Sequence, residues 1–205
     1  MDFPFPTSTA PPYWINMTNT ALLIIDMQND FVVGNAHCKV DGAANALPVM
    51  RQALDFFRSR GLPVFHIIRS YEEDGSNAEI TRQKDFQEGR KYIVAGSKGA
   101  EIVEELQPLP GEEVLIKPRF SAFFATGLAE ILRRQGIDHA VVIGVNTANC
   151  VRATVFDAIS HDFETTVIRD ATASSTLKIA QDNIRDMQAI GVHCPSLEEF
   201  VLSVG

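Results

Sequence analysis

Apolar residues along this chain fall into two kinds of segment: short unbroken runs, and longer stretches where they recur at helical spacing. Ala21-Leu22-Leu23-Ile24-Ile25 is a continuous apolar run of strand length, the pattern of a strand covered on both faces. Ala43 to Arg60 then sets Ala46, Val49, Met50, Ala53, Leu54 and Phe57 on one helical stripe and stops at Gly61. The alternation continues, with strands predicted over Pro63–Ile68, Glu113–Ile116, Ala140–Val145 and Thr165–Ile168, and a last short one near Val192-His193. Helices are predicted over Phe124–Gln135, stopped by Gly136, and over Cys150–Ser160, Thr176–Ile190 and Leu197–Leu202. Repeated strand–helix units require right-handed crossovers into a parallel sheet. The expected class is α/β, a three-layer α-β-α arrangement with a Rossmann-like, mostly parallel sheet of about six strands and helices on both faces. One segment breaks the rhythm. Residues 71–99 are polar, carry Gly75, Gly89, Gly96 and Gly99, and exceed an ordinary connection, as lids and subunit contacts do.

Composition then limits the partners. With 205 residues, 45% hydrophobic and 21% charged, the chain supplies one substantial core. A single domain is expected over 20–205, preceded by an arm over 1–19 in which Pro4, Pro6, Pro11 and Pro12 mix with Phe3, Phe5, Tyr13 and Trp14. That mixture reads as a surface or subunit-packing arm rather than a signal peptide. A net charge of −8 without a Lys/Arg run argues against nucleic acid and against an anionic membrane surface. No stretch approaches the roughly 18 to 20 apolar residues of a membrane span. Cys38, Cys150 and Cys194 are odd in number, widely spaced and free of any CxxC, so neither a disulfide framework nor a zinc knuckle is expected. A reducing, cytoplasmic location fits that usage.

Ligands of open parallel sheets bind beyond the carboxyl ends of the strands. Three residues stand there: Asp26 after the first strand, Lys117 after Glu113–Ile116, and Cys150 at a predicted helix start beyond Val145. A thiol at a helix N-terminus meets the positive end of the dipole and free N–H groups, which favour the thiolate. Asp26 can accept the thiol proton and later deliver it to a leaving amine. Lys117, between Ile116 and Pro118, can hold Asp26 by charge. Each also has a plainer reading: a small buried cysteine, a turn-capping aspartate, a solvated lysine at a strand end. His66 lies within an apolar strand with no second metal-type ligand and reads as a core histidine. Arg69 and Arg119 can meet a carboxylate or polarise a ureido group, or stay on the surface. Phe120, Phe123 and Phe124 read as helix and core packing.

Taken together, three blocks resemble the signature segments of the isochorismatase-like cysteine hydrolases: Leu23–Phe31 (LIIDMQNDF), Lys117–Phe123 (KPRFSAF) and Gly144–Thr154 (GVNTANCVRAT). The resemblance runs from about Thr20 to about Phe200. It implies a catalytic triad, with Cys150 as nucleophile, Asp26 as general base and then acid, and Lys117 as the organising charge. It also implies a cis Val145-Asn146 peptide, an oxyanion hole from the Asn146 and Cys150 N–H groups, Phe31 as an aromatic pocket wall, and a homo-oligomer, dimer or tetramer. Asn149, beside the nucleophile, joins Phe31, Arg69 and Arg119 among the substrate-binding candidates. Nicotinamidases of this family carry an Asp-x-His metal motif just after the second strand. Here His66-Ile67-Ile68-Arg69-Ser70-Tyr71 holds none, so no metal and no organic cofactor is expected. The resemblance thus implies a cysteine hydrolase that cleaves the C–N bond of a small amide or ureido substrate through a thioester. Two alternatives are a non-catalytic binding or scaffold member and a nicotinamidase-like deamidase. A Rossmann-type nucleotide binder ranks last, because no GxGxxG follows the first strand.

Overall fold

The structure, a computed structural model, describes residues 17–204; most of the expected arm over 1–19 lies outside them. In chain order the regular elements are β1 (Thr20–Ile25), α1 (Asn29–Val32), α2 (Ala43–Ser59), β2 (Val64–Ile68), α3 (Gln83–Gln87) and β3 (Glu113–Ile116). They continue with α4 (Leu128–Arg134), β4 (His139–Val145), α5 (Arg152–Ser160), β5 (Glu164–Ala173), α6 (Leu177–Ala189) and α7 (Leu197–Ser203). The five strands form one sheet in the order β3-β2-β1-β4-β5, and every pairing is parallel. Because β1 is buried along its whole length, its alternate side chains serve two cores. Leu22 and Ile24 pack with α2 and α7, through Met50, Leu54, Phe57 and Phe200. Ala21, Leu23 and Ile25 face Leu128, Leu132, Val155 and Met187, from α4, α5 and α6. Those two cores make the arrangement three-layered, as the apolar runs predict.

Three expectations change. The strand predicted near Val192-His193 is reduced to a single parallel bridge between Thr166 and His193, so the sheet has five strands rather than six. The helix predicted from Phe124 begins only at Leu128. Thr126 Oγ1 donates to the Ala122 carbonyl and accepts from Leu128 N, and Gly127 sits at φ +71°, so a turn occupies the first residues of the predicted helix. Phe124, left on that turn, is exposed, while Phe123 stays in the core beside Phe163. Among the described residues no helix is long and apolar enough to cross a membrane.

Strand order reverses at β1, whose neighbours are β2 on one side and β4 on the other. The seam between β1 and β4 is the switch point at which open α/β sheets bind ligands. Gly144 fixes its width. The residue lies at φ +114°, and a Cβ there would overlap the Ile25 carbonyl, so only glycine lets the ends of β4 and β1 come this close.

Candidate active site

Asp26 follows β1 directly, and its N–H donates to the Ile67 carbonyl at 2.8 Å, extending the β1–β2 ladder by one residue. Its φ of +52° then turns the chain sharply, a conformation that aspartate tolerates better than most residues. Lys117 ends β3 in the same way, with its N–H on the Ile68 carbonyl at 2.9 Å. The two side chains meet across the edge of the sheet. Lys117 Nζ lies 2.8 Å from Asp26 Oδ2 and also donates to the Arg119 carbonyl at 3.3 Å. Side-chain exposure is 0% for Lys117 and 1% for Asp26, which makes each an ion that burial would penalise heavily without the other.

Cys150 comes from the other side of the seam. After β4, the Val145-Asn146 peptide is cis, and residues Thr147–Val151 form a π-helical turn that runs straight into α5. Asn146 anchors that turn: its Oδ1 accepts from Ala148 N at 3.1 Å and from Ser174 Oγ at 2.5 Å. The Cys150 residue is 3% exposed. Burial pushes the thiol above its ordinary pKa, and the charge of Asp26 pushes it further, while Lys117 and Arg69 pull it down. The expectation of a thiolate held by the helix terminus is therefore corrected. Burial and the Asp26 charge thus favour the thiol form, and no group bonds Asp26 Oδ1 among the described residues.

Arg69, just past β2, is fully buried and donates through Nη2 to Cys150 Sγ at 3.7 Å. Its main chain is held by Gln28, whose amide accepts from Arg69 N and donates to Arg69 O, both at 2.8 Å, and also donates to Ala100 O at 2.7 Å. Its guanidinium pairs with Glu79 and donates to the Tyr71 hydroxyl at 3.0 Å. That hydroxyl donates to Glu79 Oε2 at 2.6 Å and accepts from Arg82 Nη1 at 2.8 Å. Burial holds the Tyr71 phenol above its ordinary pKa, so it keeps the proton it donates. The guanidiniums of Arg69 and Arg82 each lie 5.3 Å from the centre of the Phe120 ring. Phe120 is thus more than packing, and it also lines a surface depression of about 310 Å³ with Asn149, Arg152 and Phe156.

Other candidates stand apart. Arg119 is exposed, and its side chain donates to the carbonyls of Asn77 and Pro118 at 3.1 and 2.6 Å; only its own carbonyl reaches the site, through Lys117. Phe31 is buried on the α2 side of the sheet, whereas Cys150 belongs to the opposite core. Asn149 is exposed at the rim. His66 is a core residue bonded to Glu112 at 2.8 Å. Sequence reasoning missed Gln28, Tyr71, Glu79 and Arg82. Their one signal was an acid and a base three apart, Glu79 and Arg82, in the long polar excursion. The ends of β1, β2 and β3 bring together an acid, a guanidinium and an ammonium, and the loop after β4 brings the sulfur.

A model of the isochorismatase domain family matches residues 20–199. The chain belongs to the isochorismatase family. Among curated proteins, this family member is 40% identical over 185 residues to one from Arabidopsis thaliana named a probable inactive nicotinamidase, covering 89% of this chain and 94% of that one. Among solved structures, an isochorismatase family protein from Desulfovibrio vulgaris subsp. vulgaris str. Hildenborough superposes with a TM-score of 0.86 at 44% identity, over 90% of this chain and 98% of the other. N-carbamoylsarcosine amidase from Thermoplasma acidophilum superposes with a TM-score of 0.73 at 29% identity, over 87% and 96% of the two chains. The metal of the family's nicotinamidases does not fit this member. Where that motif would follow β2 stand Arg69 and Tyr71, and a guanidinium already paired with Glu79 has no lone pair to offer a cation. Among the described residues no cluster of three or more His, Cys, Asp or Glu side chains could hold a metal ion.

Proposed function

We propose that this isochorismatase-family protein is a cysteine hydrolase that cleaves a C–N bond of a small amide or ureido compound, with Cys150, Asp26 and Lys117 as its triad. One observation carries the reading: a buried Asp26–Lys117 ion pair and the Cys150 thiol share the switch point of the sheet, with a carboxylate oxygen left free. Asp26 takes the thiol proton as sulfur attacks the carbonyl carbon, so the S–C bond forms while the C=O electron pair moves onto oxygen. Lys117, paired with Asp26, lowers the cost of the thiolate. The oxyanion is received by the N–H groups of Asn146 and Cys150, which open a helix whose first amides lack intrahelical acceptors. The C–N bond breaks as Asp26 returns its proton to the leaving nitrogen, giving ammonia or an amine and a thioester. Water then adds to the thioester, again yielding a proton to Asp26, and collapse releases the acid and restores the thiol. Side chains and water supply every proton and electron pair in this sequence.

A screen of small amides, ureido acids and nicotinamide for ammonia release tests the reading, with mass spectrometry of the quenched enzyme. The expected result is ammonia from at least one compound and an acyl mass on the peptide carrying Cys150. Ammonia release that persists in Cys150→Ala, or none from the whole panel, rejects it. The Arabidopsis relative is named a probable inactive nicotinamidase, and Arg69 and Tyr71, standing where the metal motif would follow β2, support a substrate other than nicotinamide.

A further inference from the structure

The charges around the sulfur do not cancel. Three cations, Arg69, Arg82 and Lys117, face two carboxylates, Asp26 and Glu79. Asp26 is taken by Lys117, which leaves Glu79 alone between two guanidiniums, paired with Arg69 and 4.0 Å from Arg82 Nε. Asp85, the next acid along the same excursion, is engaged by Arg90 and is no counter-ion for either. The Tyr71 hydroxyl is neutral and accepts from both guanidiniums, so it spreads the positive charge without removing it. Arg69 Nε, fully buried, has no acceptor at all. A buried donor without a partner beside an uncompensated charge is costly, and the cost falls when an anion arrives.

We propose that the Arg69–Arg82 pair, shared across Glu79 and Tyr71, is a carboxylate receptor, and that the substrate is a small acid whose carboxylate lies within a few bonds of the scissile amide or ureido carbonyl. The short span follows from geometry, because the guanidinium that would meet the carboxylate is itself 3.7 Å from the attacking sulfur. Phe120 marks the route, because its ring centre lies 5.3 Å from both guanidiniums and the residue also lines the surface depression. Arg82, 17% exposed in its side chain, is the member of the pair nearer to solvent and the first that an entering anion meets. The inference rests on the hydrolase reading above but is tested separately from it, through binding.

Two matched pairs serve as probes: N-carbamoylglycine against its methyl ester, and oxamate against oxamide. In the full chain carrying Cys150→Ala, calorimetry should show each acid binding at least about tenfold more tightly than its neutral partner. Arg82→Gln in that background should weaken the acids by about 10- to 100-fold and leave the neutral compounds unchanged, with Arg82→Lys restoring part of the loss. In the unmodified protein, Arg82→Gln should raise KM for the acid more than it lowers kcat. Equal binding of acid and neutral partner, no binding of either acid, or a uniform loss on Arg82→Gln would each overturn the proposal. Ammonia release from neutral amides in preference to acids would remove this inference while leaving the hydrolase reading intact. Acid binding without any turnover would do the reverse.

Discussion

Strand β2 takes part in two buried ionic clusters three residues apart, and they differ in how fully their carboxylates are bonded. In the first, His66 and Arg58 meet Glu112. The carboxylate accepts from Arg58 Nε at 2.7 Å, Arg58 Nη2 at 2.9 Å, His66 Nε2 at 2.8 Å and Leu109 N at 3.0 Å. Since the carboxylate can only accept, the histidine proton sits on Nε2. Burial lowers the His66 pKa, so the ring is neutral, and despite partial burial Arg58 holds Glu112 down at about 2. In the second cluster, at the strand's C-terminal end, Asp26 Oδ1 and Arg69 Nε have no partner, and the acid nearest Arg69 must serve two bases. The first cluster, whose carboxylate is fully bonded although His66 Nδ1 has no partner, ties α2, β2 and the approach to β3 together. The second is more deeply buried and leaves unmet atoms on both its acids and its bases, a pattern that accompanies functional sites.

The sharpest way to separate the two is to remove the sulfur. Cys150→Ala should abolish hydrolysis, by at least about 10⁴-fold, while thermal unfolding stays close to that of the parent chain. Steady-state ammonia release together with a melting curve reads both quantities. Lys117→Met should destabilise by about 3–5 kcal/mol, because it strands a buried carboxylate, and should abolish activity as well. Adding Asp26→Asn should then recover much of the stability and none of the activity. Recovery of activity in the double variant would place Asp26 and Lys117 with the structural cluster.

The Glu112 cluster has its own signature in pH. The Glu112 pKa is depressed on folding from 4.5 to about 2, so its contribution is complete above about pH 4.5 and fades as the pH falls toward 2. The lowered His66 value acts in the same direction, because an unfolded histidine gains its proton first. Glu112→Gln should therefore cost about 3 kcal/mol at neutral pH, and denaturant melts of variant and parent should converge over that acidic window without a change in the substrate pattern. The smallest effect is expected at Arg119. Its exposed side chain bonds only to loop carbonyls, so Arg119→Ala should shift stability by no more than about 0.5 kcal/mol and leave turnover within a factor of a few. A large loss at Arg119 would move the anion site outward.

The sequence carried some of this and concealed the rest for physical reasons. The apolar runs marked every strand of the sheet: β1 and β4 are buried along their whole length and cannot alternate, whereas β3 stayed legible at the sheet's edge although Val114 and Ile116 are exposed. Asp26, Lys117 and Cys150, proposed as a triad, could be singled out because two directly follow strands and the third lies in the turn that leads into α5, all within recognisable blocks. Arg69 was a candidate, but nothing in its own segment said that it is fully buried. That depends on Glu79, Tyr71 and Arg82, which belong to an excursion whose polarity reads as solvent-facing. The excursion in fact folds inward, burying Tyr92, Ile93 and the Arg69 ion pair, and pairwise charge neutralisation hides such a segment from any hydropathy pattern. Thiol ionisation was misjudged for a related reason. A helix terminus is local and legible, whereas burial, which dominates at Cys150, is a property of the assembled molecule.

The glycine at position 144 has a consequence for how such a protein can change. Because the backbone of β4 rests directly against the Ile25 carbonyl, the turn that bears the acid and the loop that bears the sulfur descend from two strands pressed together without side chains between them. Their separation is thus set by main-chain thickness, a dimension that mutation cannot tune by degrees. Divergence in what this scaffold accepts is left to side chains beside the seam, of which Arg82 and Phe120, neither fully buried, can be changed with least disturbance.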